Sequence, residues 1–274
     1  MHCLVLGSSG QVGSALTTYL KNSGHTVSEF DIVNDTTQDL RIHENHLLDT
    51  LVAEVDFVFF LAFDVGGSRY LAQYQDTFEF IDNNTALMLN TFRALKKHGT
   101  PFMFASSQMS NMSYSSYGRA KALGESYARI LNGITVKFWN VYGIEHDLAK
   151  SHVITDFILK AKNTGIIDML TDGTEERQFL HADDCCRALV TLAEHYTHIS
   201  RDQELHITSF EWTTILEIAH IIAAEFPRTK VIPATAKDVV QKNKRNEADP
   251  FILEYWKPTF DIRSGIKDII AKMA

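Results

Sequence analysis

The stretch that decides the fold is MHCLVLGSSGQVGSALTTYL, residues 1–20. Residues 2–6 form a short apolar run that predicts a buried strand, and the apolar residues after the glycines recur with the period of a helix. Gly7 permits a tight turn, Gly10 lets a pyrophosphate approach the backbone, and Gly13 allows the helix to pack closely on the strand. This order predicts a dinucleotide site. Its candidate cofactor-binding residues are Gly7, Ser9, Gly10, Gln11, Val12 and Gly13.

An acidic residue strengthens this prediction. A second predicted strand, residues 26–30, is followed by Asp31, about where an acid meets the adenosine ribose in dinucleotide sites. A carboxylate there would repel a 2′-phosphate, so the sequence favours NAD over NADP as cofactor. A glycine-rich pattern alone often indicates only a turn. Here the strand before it, the helix after it and the acid that follows favour a dinucleotide site. In the following loop, Asp39 and Leu40 are predicted to flank the adenine.

Predicted strands and helices alternate along the first half of the chain. Further strands are expected at residues 55–62, 102–105 and 135–139, with helices between them. Such alternation predicts an α/β fold with a Rossmann-type, doubly wound parallel sheet, in which ligands bind at the carboxyl ends of the strands.

The alternation becomes less regular after residue 145. We expect residues 1–145 to form the NAD-binding Rossmann domain, with its sheet completed by parts of residues 178–210. Residues 146–274 are expected to be mainly a smaller C-terminal substrate-binding lobe. Within this lobe, Asp172-Gly173 is a turn signal that predicts a hairpin over residues 169–184.

Composition excludes several classes of protein. Of the 274 residues, 45% are hydrophobic and 22% charged, which is usual for a soluble enzyme. The net charge of −8 argues against a nucleic-acid partner. Cys3, Cys185 and Cys186 show no metal spacing, so no metal site is expected and the thiols suit a reducing compartment. Without a signal-peptide pattern or a long apolar run, we expect a cytoplasmic protein with no membrane partner.

Tyr117 and Lys121 are candidate catalytic residues because positions four apart share one face of a helix. A phenol has a pKa of about 10, and an ammonium beside it favours the phenolate. Such a tyrosine could remove a hydroxyl proton while a hydride leaves the same carbon. Ser107, at the end of the predicted strand 102–105, belongs to the same edge of the sheet. Alone, the pair is better explained as a solvated helix face with a lysine at its edge, and only the rest of the chain favours the catalytic interpretation.

Together these stretches resemble the extended short-chain dehydrogenase/reductase family, which includes the nucleotide-sugar epimerases and dehydratases. The resemblance covers essentially the whole chain. It rests, in chain order, on Gly7, Gly10, Gly13, Asp31, Leu61-Ala62, Asn84, Ser107, Tyr117, Lys121, residues 140–143, residues 172–174 with Arg177, Asp183-Asp184, and residues 256–258.

The resemblance implies roles for these residues. Tyr117 would be the general base for a sugar hydroxyl while NAD accepts the hydride. Lys121 would bind the nicotinamide ribose and lower the pKa of Tyr117, and Ser107 would hydrogen-bond the reacting oxygen. Further cofactor contacts are implied for Leu61, Ala62 and Asn84.

The resemblance also implies a grip on the substrate diphosphate by Asn140, Arg177 and Arg245. Arginine suits this task because its planar fork binds phosphate oxygens in pairs. For Arg177 the alternative is a surface salt bridge with Glu175 or Glu176. For Arg245 the alternative is a solvated basic loop.

Departures from the family pattern narrow the chemistry. The 4,6-dehydratases place an Asp-Glu pair after the catalytic Ser or Thr, whereas Gln108 and Met109 stand here and neither is an acid or base. Simple 4,6-dehydration is therefore disfavoured, and Gln108 becomes a candidate substrate contact.

Two other stretches resemble the GDP-fucose synthase and GDP-mannose 3,5-epimerase branch, namely residues 65–67 and 151–154. That branch places a cysteine after the catalytic serine, and Gln108 replaces it here, so double epimerisation is not expected. His152 matches the histidine that acts as second acid in the synthase, and a histidine titrates near neutral pH. A packed histidine at a helix start is the alternative.

The resulting expectation is NAD-dependent oxidation of a ring hydroxyl, at C4, of a nucleoside-diphosphate sugar, by an epimerase or 4-dehydrogenase. A GDP-sugar is slightly favoured as substrate. The alternatives are an NDP-4-keto-sugar reductase and a non-catalytic dinucleotide-binding protein. A homodimer is expected through the helices that carry Asn84 and Tyr117. Their outer apolar positions, which could form that seam or simply be core, are Met88, Phe92, Leu123 and Tyr127.

Overall fold

The structure is a computed structural model that describes residues 1–238 and 246–273, so the predicted substrate contact Arg245 lies outside the described residues. Within these ranges the strands are β1 (His2–Leu6), β2 (Thr26–Phe30), β3 (Phe57–Phe60), β4 (Phe102–Ser107), β5 (Ile134–Phe138), β6 (Asn140–Tyr142), β7 (Ile166–Asp168), β8 (Glu176–His181), β9 (Leu205–Ile207), β10 (Trp212–Thr214) and β11 (Lys230–Ile232). The α-helices are α1 (Gln11–Asn22), α2 (His46–Glu54), α3 (Ser68–Tyr74), α4 (Phe78–His98), α5 (Ser116–Ile130), α6 (Val153–Thr164), α7 (Ala182–Glu194), α8 (Ile215–Glu225) and α9 (Ile262–Lys272).

Six strands form one parallel sheet in the order β2-β1-β3-β4-β5-β9. The order reverses at β1 and β3, as in a doubly wound fold. This confirms the predicted fold class. β4 continues to Ser107, where the sequence pattern predicted its end at residue 105, and Ser107 lies opposite Phe138 of β5.

Helices cover both faces of the sheet, and successive side chains of each strand point to opposite faces. In β1, Cys3 and Val5 pack in one apolar cluster with α1 and α7, whereas Leu4 and Leu6 pack in another with α2, α4 and α5. Apolar residues therefore occupy successive positions of this strand rather than every second one. This is why β1 appears in the sequence as an uninterrupted apolar run.

The second part of the chain adds two small sheets, β10-β8-β6 and β11-β7, and a third apolar cluster that includes residues of α6, α8 and α9. The predicted hairpin over residues 169–184 is wrong. β7 pairs with β11, and β8 pairs with β10 and β6, so the turn at Gly173 joins strands of different sheets. The domain boundary at residue 145 stays a prediction, and β6 before it already belongs to the smaller sheet. No helix in the described ranges is long and apolar enough to cross a bilayer.

A buried carboxylate ties the C-terminal segment to α7. Asp184 is 0% exposed and accepts hydrogen bonds from the Thr259 amide at 2.6 Å, the Thr259 hydroxyl at 2.8 Å and the Phe260 amide at 2.9 Å. Arg187 lies 2.6 Å from the same carboxylate. Each carboxylate oxygen is thus engaged twice, which compensates for the removal of its charge from water.

Removing this carboxylate is expected to destabilise the fold. Asp184→Ala leaves the backbone amides of Thr259 and Phe260 without their carboxylate partner, and we expect it to lower the free energy of unfolding by about 3 kcal/mol in urea titrations. Asp183→Ala, at the half-exposed neighbouring carboxylate, is the control and should cost less than about 1 kcal/mol. Equal losses for the two variants would contradict this role of Asp184.

Candidate active site

A cleft of about 720 Å³ lies at the carboxyl ends of the parallel strands and is walled on its other side by residues that follow β6. It brings together residues that the sequence analysis found far apart in the chain. Every described candidate except Asn84 lines it: Gly7, Ser9, Gly10, Gln11, Val12, Gly13, Asp31, Asp39, Leu40, Leu61, Ala62, Ser107, Gln108, Tyr117, Lys121, Asn140, His152 and Arg177.

The glycine turn can pack this closely only because Gly7 and Gly13 lack side chains. A Cβ on Gly13 would lie 1.9 Å from the Gly7 carbonyl oxygen, and Gly7 itself has a φ of +87°. No described side chain caps the start of α1 at Gly10, so its first amides face the cleft. Gln11 Nε2 is buried and has no hydrogen-bond partner among the described residues. Together these unused donors fit the pyrophosphate of a dinucleotide.

Asp31 is hydrogen-bonded to the glycine turn. Its carboxylate accepts hydrogen bonds from the Ser9 amide at 2.9 Å and the Val33 amide at 3.0 Å, and it lines the cleft. Asp39 is paired with Arg41, a residue the sequence analysis did not name, at 2.8 Å. That hydrogen bond holds the pKa of Asp39 below its usual range. The acid predicted to favour NAD is therefore fixed beside the glycine turn.

Asn84, a predicted cofactor contact, is not among the residues that line the cleft. It is fully buried, and its side chain accepts from the Asp64 amide at 2.8 Å and donates to the carbonyls of Asp64 at 3.1 Å and Phe80 at 2.9 Å. It shapes the loop after β3 instead of lining the cleft. Asp64, which does line the cleft, is the residue missed here. Its only sequence signal is that it follows the Leu61-Ala62 strand end.

Asp64 is held by partners from both sides of the cleft. It accepts from the Tyr70 hydroxyl at 2.6 Å and pairs with Lys150 at 3.2 Å. Burial alone would raise the pKa of Asp64, but these hydrogen bonds and the lysine charge bring it below the ordinary value. The loop after β3 is thereby joined to the segment that follows β6.

Ser107 and Tyr117 lie in the same part of the cleft. Ser107 ends β4, Tyr117 lies in the first turn of α5, and the Ser107 hydroxyl is close enough to oppose the rise in the pKa of Tyr117. A Cβ on Gly118 would lie 2.1 Å from the Met109 carbonyl oxygen, so glycine at this position lets α5 press against the segment after Ser107. The glycine after the tyrosine therefore has a packing reason that the sequence analysis did not use.

Lys121 lies beside Tyr117 but is directed elsewhere. Its side chain is 3% exposed, its Nζ donates to the Ala105 carbonyl oxygen at 2.6 Å, and it lies 3.7 Å from the centroid of the Phe63 ring. The Tyr117 ring centroid is 5.9 Å away. Burial lowers the pKa of Lys121 to about 7.

The expected lowering of the Tyr117 pKa is not found. Burial raises the pKa of Tyr117 to about 12, and the opposing effect is the hydrogen bond with Ser107 rather than the lysine charge. A phenol with this pKa is protonated at neutral pH. In this arrangement it is better prepared to give a proton to a carbonyl oxygen than to take one from a hydroxyl.

His152 stands at the start of α6 and contacts one carboxylate, Glu145. Its Nδ1 lies 2.6 Å from Glu145 Oε1, and its backbone amide donates to Glu145 Oε2 at 3.0 Å. Burial would raise the pKa of Glu145, but the hydrogen bonds and charge of His152 and a hydrogen bond from Thr155 hold it below the usual range. The sequence analysis missed Glu145, which lies seven residues before the histidine in an irregular segment.

At the predicted substrate end of the cleft, Arg177 forms an ion pair. Arg177 contacts Asp238 through Nη2 and donates from Nη1 to the Glu176 carbonyl oxygen at 2.6 Å. Its charged partner among the described residues is thus Asp238. Asn140 lines the cleft at the start of β6.

Gln108 is fixed rather than free. Its backbone carbonyl and Oε1 both accept from Asn246 Nδ2, at 2.7 and 2.5 Å. Asn246 belongs to the C-terminal part of the chain and carries no motif by which the sequence analysis could have found it. The contact places an amide where dehydratases of the resembled family carry an acid.

The buried ammonium of Lys121 gives a pH-dependent stability difference. In the unfolded chain the lysine keeps its proton up to its ordinary pKa of 10.5, whereas in the folded protein it loses the proton above a pKa of about 7. The folded state therefore binds fewer protons between these values, and the stability of the wild type rises as pH increases from 7 to 10.5.

Lys121→Met removes the buried charge and this rise. We expect the variant to be more stable than the wild type at pH 6, by up to about 5 kcal/mol in urea unfolding, and the gap to narrow by pH 9. Lys96→Met, on the exposed face of α4, should show no such trend. A gap independent of pH would contradict the assignment.

Comparison with known proteins agrees with this geometry. The chain matches the family described as "NAD dependent epimerase/dehydratase family" over residues 3–207. It is 25% identical over 305 aligned positions to GDP-mannose 3,5-epimerase 1 of Oryza sativa subsp. indica, an alignment that covers 96% of this chain and 79% of the relative.

Solved structures share the fold. UDP-glucose 4-epimerase of Thermotoga maritima, solved with UDP-glucose, superposes with a TM-score of 0.81 at 18% identity and covers 100% of this chain and 98% of that one. The enzyme WbmF of Bordetella bronchiseptica, solved with NADH, gives a TM-score of 0.80 at 21% identity over 98% and 90% of the two chains.

The residues that match the family run from β1 to β9 and include all six strands of the parallel sheet, the glycine turn and the Tyr117–Lys121 pair. This chain therefore belongs to the NAD dependent epimerase/dehydratase family, and NAD is its cofactor.

Proposed function

We propose that this protein oxidises the C4 hydroxyl of a nucleoside-diphosphate sugar, as an epimerase or a 4-dehydrogenase, with Tyr117 as the base. The observation that carries the proposal is that Ser107, Tyr117 and Lys121 lie together in one cleft with the glycine turn and Asp31. A protein that only binds a dinucleotide would not need this cluster.

The residues of the cleft have separate roles in the proposed reaction. NAD, when bound, supplies the hydride acceptor. The hydroxyls of Ser107 and Tyr117 hydrogen-bond the reacting oxygen, and Tyr117 takes its proton. Lys121 is proposed to bind the nicotinamide ribose and to stabilise the phenolate, which needs such help because a pKa of about 12 places deprotonation roughly 7 kcal/mol uphill at pH 7.

That raised pKa favours one second candidate. An NDP-4-keto-sugar reductase runs the same chemistry backwards, so Tyr117 would protonate the keto oxygen, which a buried neutral phenol does readily. Asp31 argues against this candidate to the extent that such reductases prefer NADPH. Simple 4,6-dehydration is disfavoured because Gln108 is held by Asn246 and Met109 is apolar.

The names of the relatives indicate the chemical class of the proposed substrate. Their names include GDP-mannose 3,5-epimerase and UDP-glucuronic acid decarboxylase. We propose a nucleoside-diphosphate sugar, with a GDP-sugar favoured by the residues 65–67 and 151–154. Gln108, Asn140, Arg177 and Arg245 are the proposed substrate contacts, and a diphosphate at Arg177 would compete with Asp238 for the guanidinium.

We also propose a homodimer through α4 and α5. Of the outer positions considered, Met88 and Phe92 are buried in the core of the chain and cannot form the seam, whereas Leu123 is 48% exposed. Ile130 of α5 and Phe78 of α4 are each 77% exposed. A cytoplasmic location remains a prediction.

The reaction can be identified by mixing the purified protein and NAD with GDP-, UDP-, dTDP- and CDP-sugars, following NADH absorbance and analysing products by mass spectrometry and NMR. A rise in NADH with one sugar indicates a dehydrogenase, and a new isomer of equal mass without net NADH indicates an epimerase. If no sugar of the panel reacts although NAD binds, support shifts to the reductase. Incubation with keto sugars and NADH then tests that activity.

Tyr117→Phe tests the proposed base. We expect turnover to fall at least about 100-fold, because the proton acceptor is lost, while the affinity for NAD stays within about twofold. Tyr127→Phe is the matched control, since this tyrosine lies on the same helix and stacks on Phe92 away from the cleft. Full activity of the Tyr117 variant would refute the role.

A further inference from the structure

Glu145 contacts both the backbone and the ring of His152. Its carboxylate accepts a hydrogen bond from the His152 backbone amide at 3.0 Å, one residue before α6 begins. In addition, Glu145 Oε1 lies 2.6 Å from Nδ1 of the imidazole. The carboxylate side chain is 6% exposed, whereas the imidazole is 44% exposed on the cleft wall.

An ionised carboxylate can only accept hydrogen bonds, so in the neutral ring the proton must lie on Nδ1. Nε2 of the neutral ring then keeps its lone pair, on the side opposite Glu145. None of the residues 1–238 and 246–273 forms a hydrogen bond with it. The geometry thus directs an unprotonated ring nitrogen away from the buried acid and toward the open side.

The other charged groups around the histidine are already paired. Arg69 pairs with Asp156 at 3.2 Å, and Lys150 pairs with Asp64 at 3.2 Å. The remaining titratable neighbours in the segment are His146 and Asp147, and Asp147 caps the Ala149 amide at 3.1 Å. Glu145 is therefore the group that faces the imidazole directly.

We infer that Glu145 is a positioning residue, which holds His152 in the Nδ1–H tautomer and makes its Nε2 the second proton-carrying group of the cleft, beside Tyr117. Nε2 accepts one proton from the substrate or from water, and Glu145 stabilises the resulting imidazolium. The same proton is returned to the product or to water. The identity of the substrate rests on the proposed function, whereas the tautomer does not.

Glu145→Gln makes the sharpest variant. Its amide oxygen can keep the bond to the His152 amide while its NH₂ group faces Nδ1, and a donor there forces the ring proton to Nε2. In ¹⁵N NMR spectra of the labelled protein at neutral pH, we expect a protonated Nδ1 in the wild type and a protonated Nε2 in the variant. Asp156→Asn, which removes one charge from the same helix without touching the ring, should keep the wild-type tautomer.

Kinetics test whether the pair acts in turnover. With the substrate found by the nucleotide-sugar panel, Glu145→Gln should lower kcat about tenfold or more, with little change in KM. In a His152→Gln background the same change should add nothing, because Glu145 acts through the histidine. A role limited to capping α6 would instead give additive losses and a lower melting temperature.

The outcomes separate the two proposals. A wild-type ring that carries its proton on Nε2, or additive kinetic losses, would overturn the positioning role even if a nucleotide sugar is the substrate. If no nucleotide sugar reacts, the proposed function fails, and the ¹⁵N spectra of the protein alone still support or overturn the assignment of Glu145.

Discussion

The hydrogen bond from Lys121 Nζ to the Ala105 carbonyl oxygen is the interaction on which the site depends. At 2.6 Å it joins α5 to β4 within two residues of Ser107, and Tyr117 lies one turn earlier on the same helix. The relative position of the two hydroxyls is thus set by a side chain that touches neither of them. Gly118 allows the approach because no Cβ keeps the helix away from Met109.

This contact has an energetic cost. An ammonium buried against Phe63 and Phe104 has one strong acceptor and loses most of its hydration, which is why its pKa falls to about 7. Glu125, one turn further along α5, opposes this fall through its charge. Enzymes often retain such a burden where preorganisation of charge matters more than stability.

Short-range features were predictable from sequence. The strand, glycine turn and helix at residues 1–20 are adjacent in the chain. The positive φ at Gly7 and the close contact at Gly13 both require glycine, which is visible in the sequence. Tyr117 and Lys121 were predictable because a helix fixes the geometry of positions four apart. The pairing of β8 was not, because its partners lie more than 30 residues away on either side and a turn signal such as Asp172-Gly173 does not specify which strands it joins.

The side-chain partners inside the cleft were also beyond sequence patterns. Asp64 and Lys150, or Gln108 and Asn246, come from distant loops without periodicity, so only the folded chain shows that they meet. Asn84 is predicted to contact the cofactor by resemblance alone, and its amide satisfies the backbone of Asp64. A side-chain amide beside a loop can serve either purpose, and the sequence does not distinguish them.

The direction of proton movement follows from how the two proton-carrying groups are surrounded. Tyr117 is buried among apolar neighbours with a hydroxyl partner, an environment that favours the neutral phenol. His152 is half exposed, and its Nδ1 lies 2.6 Å from the buried carboxylate of Glu145. One group is therefore prepared to exchange a proton with a developing oxyanion, and the other to exchange one with solvent. Because these demands oppose each other, a single residue could not meet both, and the cleft provides two separate environments for them.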